Sequence, residues 1–279
     1  MSIDHEIAAA RALLLPAALP EDGPIVFLTG AGISAESGIP TFRGDDGYWR
    51  VGSRNYRPME LATHAAFTAM PDEIWRWYLF RQTVCAAARP NPAHLALARH
   101  ESHLHDRFLL VTQNVDGLHL RAGNSPARTF QIHGNIAYTR CSVGCREGAL
   151  PRPLPDEITR HAWTAESCFD KTHRRALTCT CGALLRPHVL WFDESYDEWL
   201  YHFDSTDAAM RRATALVVVG TSGATTLPAL MCETAVERQI PFIVVDAAPT
   251  PFSRLAENQP LGRFLQGRAG EVLPALLAP

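Results

Sequence analysis

The sequence predicts an α/β fold, a Rossmann-like doubly wound parallel sheet carrying a smaller lobe, on three observations. Four short apolar runs read as buried strands. Each run ends in a cluster of small or polar residues. Two long segments that hold most of the tryptophan and cysteine interrupt the strand rhythm. With 279 residues, 47% of them hydrophobic, the chain can bury one large core or a core with a satellite.

The runs are Ile25-Val-Phe-Leu-Thr29, Phe108-Leu-Leu-Val-Thr112, Ala215-Leu-Val-Val-Val219 and Pro241-Phe-Ile-Val-Val245. They are nearly continuous rather than alternating, as strands covered by helices on both faces should be. The clusters that follow are Gly-Ala-Gly, Gln-Asn-Val-Asp, Gly-Thr-Ser-Gly and Asp-Ala-Ala. In an open parallel sheet the ligand lies beyond the carboxyl ends of the strands, so these clusters are expected to converge on one crevice. The larger lobe is expected over about 1–43, 106–136 and 191–279, the smaller over about 44–105 and 137–190, together one domain over 1–279.

A net charge of −3 supplies no broad basic field, which argues against a nucleic-acid partner. No apolar run approaches the roughly 20 residues of a membrane span. The N-terminus, Met1-Ser-Ile-Asp-His-Glu6, is acidic rather than basic, so the sequence predicts a cytoplasmic protein. Seven cysteines in a reducing compartment point to metal ligation or free thiols before disulfides.

Gly30, Gly32 and Ala35 fit G-x-G-x-x-G/A directly after the first strand, a pattern suited to a tight turn, a close approach to pyrophosphate, and helix packing. A hydride-transfer enzyme should then carry an acidic residue about 20 positions on, at the end of a second strand. That region reads Gly47-Tyr-Trp-Arg-Val-Gly-Ser-Arg-Asn55 and contains neither, which weakens a dehydrogenase reading. Asn114 and Asp116 follow the second run, where they can face a ligand or form an Asx turn.

With Gly30-Ala-Gly-Ile-Ser-Ala-Glu-Ser-Gly-Ile-Pro-Thr-Phe-Arg43 the sequence resembles the sirtuins, the NAD-dependent protein-lysine deacylases. The family's other blocks appear in order: Thr112-Gln-Asn-Val-Asp-Gly-Leu-His119, Ile132-His-Gly-Asn135, Arg186-Pro-His-Val-Leu-Trp-Phe192, Gly220-Thr-Ser222 and Gly267-Arg-Ala-Gly-Glu-Val-Leu-Pro274. The resemblance implies a catalytic domain that displaces nicotinamide from NAD with the carbonyl oxygen of an acylated lysine on a protein, through an alkylimidate. It implies His133 as the base, with Asn114 also catalytic. NAD contacts are implied at Gly30, Ala31, Gly32, Ile33, Glu36, Thr41, Phe42, Arg43, Gln113, Asn114, Asp116, Gly220, Thr221, Ser222, Asp246 and Ala269. An imidazole with a pKa near about 6.5 suits proton transfer at neutral pH. Family members often carry asparagine where this chain has Asp246.

Cys141-Ser-Val-Gly-Cys145 and Cys179-Thr-Cys181 are two pairs of thiols, the ligand set of a tetrahedral structural zinc site. Sirtuins carry such a site in the small lobe, usually with Cys-x2-Cys pairs. The spacings here are x3 and x1, with Cys168 a possible substitute, and free buried thiols are the alternative. Cys85 and Cys232 read as helix core.

The segment after Pro71 reads as a helix with Tyr78 and Arg81 on one face, at i and i+3. In desuccinylase-type sirtuins a tyrosine and an arginine at this spacing bind the distal carboxylate of succinyl- or malonyl-lysine, and an alanine matching Ala62 leaves room at the pocket floor. The fallback is a solvated arginine beside a core aromatic. Two departures touch the groove where sirtuins bind the peptide: Asp193 stands where the family has glycine, and the loop over 220–228 is one residue longer than usual. They keep open an NAD hydrolase or ADP-ribosyltransferase on the same NAD site. A non-catalytic NAD sensor is disfavoured, since His133 and Asn114 would have no reason to accompany the loop.

Overall fold

A computed structural model describes residues 2–15, 18–20, 22–40, 49–51, 54–223 and 225–278. The strands run β1 (Ile25–Thr29), β2 (Trp49–Val51), β3 (Arg54–Tyr56), β4 (Phe108–Thr112), β5 (Thr129–Gln131), β6 (Gly134–Cys141), β7 (Arg152–Pro153), β8 (Leu185–Val189), β9 (Ala215–Val219), β10 (Phe242–Asp246) and β11 (Gly262–Gln266). A six-stranded sheet in the order β11-β10-β9-β1-β4-β5 is parallel throughout. The chain builds outward from β1 to β4 and β5, then returns to the other side of β1 for β9, β10 and β11. The strand order therefore reverses between β1 and β9, which is the point where an open α/β sheet offers a crevice.

The four apolar runs are strands of this sheet, and β1, β4 and β9 are buried along their whole length. Side chains alternate between two faces. Phe27, Leu110, Val217 and Val245 pack with the helices Ile3–Leu14, Pro92–Leu104 and Ala269–Leu276 on one side. Val26, Leu28, Val111, Val218 and Val244 meet the helices Phe203–Arg212, Thr226–Glu237 and Pro251–Glu257 on the other. The sequence reading counts the Pro92–Leu104 helix with the smaller lobe; its Ala93, Ala96 and Leu97 pack under the main sheet.

A second apolar cluster lies around the antiparallel sheet β7-β6-β8. Its largest contributor is the Pro71–Ala87 helix, which brings Ile74, Trp75, Trp77, Tyr78 and Leu79. The Trp75 indole N–H donates to the Leu185 carbonyl at 2.8 Å, tying the helix to β8. One joint between this unit and the main sheet is formed at residues 133–134 and 190. His133 and Gly134 lead from β5 into β6, and the Leu190 N–H donates back to the His133 carbonyl at 3.0 Å. Gly134 has φ +83°, and a Cβ there would lie 2.2 Å from the His188 carbonyl oxygen, so no other residue fits. Among the described residues no helix is long and apolar enough to cross a membrane.

Candidate active site

The floor of the crevice is a contact between two turns. Thr29 of β1 pairs with Thr112 of β4 and Val219 of β9, so the residues after them leave the sheet at one level. Gly30 N–H donates to the Val219 carbonyl at 2.9 Å and Gly32 N–H to the Gly220 carbonyl at 2.8 Å. A Cβ on Gly32 would lie 2.6 Å from the Gly220 Cα, which is too close for any side chain. Glycine at 32 is therefore required first by the opposing turn. Residues Ala31–Ser37 follow as a 3-10 helix.

The segment after β4 crosses this floor. The Gln113 side-chain amide donates to the Thr221 hydroxyl at 2.8 Å, and its carbonyl accepts from the Thr225 hydroxyl at 3.0 Å. Asn114 is buried, and its amide donates to the Gly30 carbonyl at 3.0 Å and to Ser34 Oγ at 3.1 Å. Asp116 accepts from Ser34 Oγ and from the Leu118 N–H, each at 2.8 Å. Burial raises the Asp116 carboxyl, against the Leu118 and Ser34 hydrogen bonds and the charges of Arg121 and Arg81. The sequence reading did not single out Ser34. Its signal was a lone hydroxyl in the apolar stretch after the glycines, and its place between Asn114 and Asp116 makes it part of the site.

His133 stands at the crossing between the lobes. Its Nδ1 lies 3.0 Å from the Gln113 backbone carbonyl, and its Nε2 lies 2.8 Å from the Tyr196 hydroxyl. Burial lowers its pKa to about 4, against the carbonyl hydrogen bond, so the ring is neutral at pH 7 and able to take a proton.

The remaining predicted nucleotide contacts sort by exposure. Thr221 is buried while Ala31 and Ser222 are half-buried at the crevice. Asp246 ends β10, where its carboxylate accepts from the Ala248 N–H at 3.3 Å. Ala269 opens the Ala269–Leu276 helix. Ile33 is fully buried, with its side chain in the apolar core on one face of the main sheet. Glu36 accepts from the Gly270 N–H at 2.8 Å, which binds the glycine loop to that last helix. Thr41, Phe42 and Arg43 lie outside the described residues.

Tyr78 and Arg81 lie on the Pro71–Ala87 helix. Tyr78 is buried, and its hydroxyl accepts from the Trp191 indole N–H at 2.9 Å, which leaves its own hydrogen to donate. Burial raises the phenol to about 12, against the Arg81 charge and the Trp191 hydrogen bond. Arg81 stacks over Trp77 at 4.9 Å. Trp191 is in turn fixed from below by the Arg186 guanidinium, 3.4 Å from its ring centroid. Arg186 forms a two-pronged ion pair with Glu194, whose carboxylate also accepts from the Trp191 N–H. A buried arginine held this way supports Trp191 and through it Tyr78. Ala62 is buried and its carbonyl accepts from the Phe192 N–H at 2.9 Å.

The Asp193 side chain is tied to the chain at 64–65. Its carboxylate accepts from the backbone N–H groups of His64 and Ala65 at 2.7 and 3.1 Å, at the start of the His64–Ala69 helix. Burial raises the carboxyl, but these two donors outweigh it and hold it below the usual carboxylate range. Much of the charge is thus neutralised locally by a helix start.

Cys141, Cys145, Cys179 and Cys181 bring their sulfurs within 4.8 Å of one another. The Cys141–Cys181 and Cys145–Cys179 separations are 3.7 and 3.6 Å. Four thiolates at about 2.3 Å from a zinc ion, in a tetrahedron, stand about 3.8 Å apart, close to the two shorter separations, so the ligand set and its spacing suit zinc. The unusual spacings are absorbed by two tight turns, in which Gly144 N–H returns to the Cys141 carbonyl and Gly182 N–H to the Cys179 carbonyl. Cys168 is exposed and outside the cluster.

The sequence model of the Sir2 family matches residues 30–226. An NAD-dependent protein deacylase of Leptospira interrogans is 38% identical over 251 residues, covering 90% of each chain. The mitochondrial NAD-dependent protein deacylase sirtuin-5 of Canis lupus familiaris is 36% identical over 265 residues, covering 91% of this chain and 81% of its own. Among solved structures, a Sir2 homolog in complex with NAD superposes with a TM-score of 0.75 at 33% identity, covering 99% of this chain and 93% of the other.

Two measurements check the site's framework. Purified protein should carry one zinc per chain, and stripping it with a chelator should lower the melting temperature by at least about 5 °C; an unchanged melting temperature contradicts a structural metal. Burial holds His94, His100, His133 and His188 at about 4 and His119 well below its ordinary value. Below about pH 6.5 the unfolded chain therefore binds protons that the native chain does not, and stability falls as pH drops toward 4. The urea midpoint should be lower at pH 5 than at pH 7, and a flat midpoint would show these histidines free to charge in the native state.

Proposed function

The chain belongs to the Sir2 family, and on that premise we propose that it is an NAD-dependent protein-lysine deacylase that prefers acyl groups ending in a carboxylate. The observation that carries the reaction class is the convergence of Asn114, Asp116 and a neutral His133 on the crevice between β1 and β9. NAD supplies a pyridinium leaving group on a ribose carbon, which a weak nucleophile displaces when the developing charge is held in a dry, shaped site. The Gly30–Gly38 turn and the Gly220–Ser222 turn offer backbone and hydroxyl donors for the phosphates and riboses. Asn114 and Asp116 position the nicotinamide end, and Asp246 and Ala269 flank the adenosine end. His133 Nε2 takes the proton of a ribose hydroxyl. The four-cysteine cluster, with zinc bound, keeps the β6–β8 unit rigid and takes no part in the chemistry.

The acyl preference rests on the helix that faces this crevice. Arg81 follows Tyr78 by three residues on this helix, and its charge is felt at both Tyr78 and Asp116. A guanidinium and a phenol O–H are both donors, the complement of a carboxylate. Ala62 leaves room beside them.

Nicotinamide release from NAD should require an acylated peptide, and kcat/KM should be higher for succinyl-lysine than for acetyl-lysine. Losing hydrogen bonds to a charged group costs about 1.5–3 kcal/mol, so Arg81→Met should lower succinyl turnover about 10- to 100-fold and leave acetyl turnover within about 3-fold. Mass spectrometry of both peptides and a nicotinamide assay read this out. Equal rates on both acyl groups, unaltered in Arg81→Met, contradict the acyl assignment; nicotinamide released at full rate without peptide favours an NAD hydrolase.

A further inference from the structure

The two nitrogens of His133 have different partners, and together they fix its tautomer. The Gln113 carbonyl oxygen can only accept, so Nδ1 carries the hydrogen. Nε2 then presents a single lone pair, and at 2.8 Å the Tyr196 hydroxyl donates to it. One lone pair makes one good hydrogen bond. Tyr196 and a ribose hydroxyl therefore compete for the same atom.

Tyr196 is placed for this role from several sides. Its ring lies 5.8 Å from the imidazole and 6.0 Å from Phe203. Burial pushes its phenol up to about 12, so it keeps a proton to donate. It stands in the irregular run 195–197, between two anchors. On one side the turn at Phe192–Glu194 is fastened to Ala62, His64, Ala65 and Arg186. On the other, the Asp197 carboxylate accepts from the Leu200 N–H at 2.7 Å and caps the next helix. The run has no regular backbone hydrogen-bond ladder of its own, so the phenol can leave the imidazole without breaking either anchor.

We infer that Tyr196 is a positioning residue that occupies the lone pair of His133 until the ribose of the bound nucleotide displaces it. The inference rests on the reading of the crevice as an NAD site, and it gives Tyr196 and the Thr225 loop a role that the glycine and histidine motifs do not contain. Displacement trades one hydrogen bond for another, so the phenol taxes nucleotide binding by the worth of a single hydrogen bond.

ADP-ribose, which carries the ribose but cannot react, separates this from a packing role. In calorimetric titrations Tyr196→Phe should bind ADP-ribose about 2- to 10-fold more tightly than the wild type, the range that one net hydrogen bond spans. In a His133→Ala background the same substitution should change the affinity less than 2-fold, about the low end of that range. Histidine 15N NMR of the ligand-free protein should show His133 as the Nδ1–H tautomer, with the Nε2 resonance moving toward that of a free acceptor in Tyr196→Phe. Equal or weaker binding by Tyr196→Phe, or the same gain without His133, overturns the inference. Wild-type protein that binds no ADP-ribose overturns the nucleotide reading and this inference together, whereas tight binding without deacylation removes the proposed activity alone.

Discussion

The crevice exists because parallel strands stop at one level and two glycine turns interlock across the gap between β1 and β9. Gly30, Gly32 and Gly220 approach so closely that a Cβ on any of them would overlap backbone. That contact holds backbone donors at the surface of the crevice. It also sets the depth at which Gln113, Asn114 and Asp116 cross. Hydrophobic burial of β1, β4 and β9 supplies the rigidity. The chemistry depends on the sheet's register more than on any one side chain.

The second structural requirement is a stiff joint between the two apolar clusters. His133 occupies it, beside a glycine that no other residue can replace and opposite the returning strand at Leu190. A side chain at such a joint is held from both sides. Below it, Arg186 and Glu194 form a nearly buried ion pair under Trp191, which reaches Tyr78. Leaving one partner of such a pair alone costs about 3–5 kcal/mol, so the pair is better viewed as fixing an arrangement than as adding stability. Tyr78 and His133 are thus held by separate networks that meet at the 191–196 segment.

Much of this was legible in the sequence because buried parallel strands write continuous apolar runs and glycine turns leave sharp marks. The four strong strands and the residues at their ends are found where the runs predict them. β5 and β11 were not visible: one is three residues long, and the other is a half-buried edge that begins with glycine and carries Arg263 and Gln266. Ile33 was grouped with the nucleotide contacts because it lies inside the glycine motif, while its aliphatic side chain belongs to the core. That Asp193 accepts from the His64 and Ala65 N–H groups was not legible, because a sequence does not show which helix start lies nearby. Tyr196 left no signal at all, since a single tyrosine between two turns reads as packing.

The most direct test is a crystal structure of the chain with NAD bound. The account predicts the pyrophosphate against the turns at residues 30–38 and 220–222, the nicotinamide ribose within about 3 Å of His133 Nε2, and the Tyr196 hydroxyl withdrawn from that nitrogen. A nucleotide bound away from the β1–β9 crevice, or a ribose out of reach of His133, would contradict it.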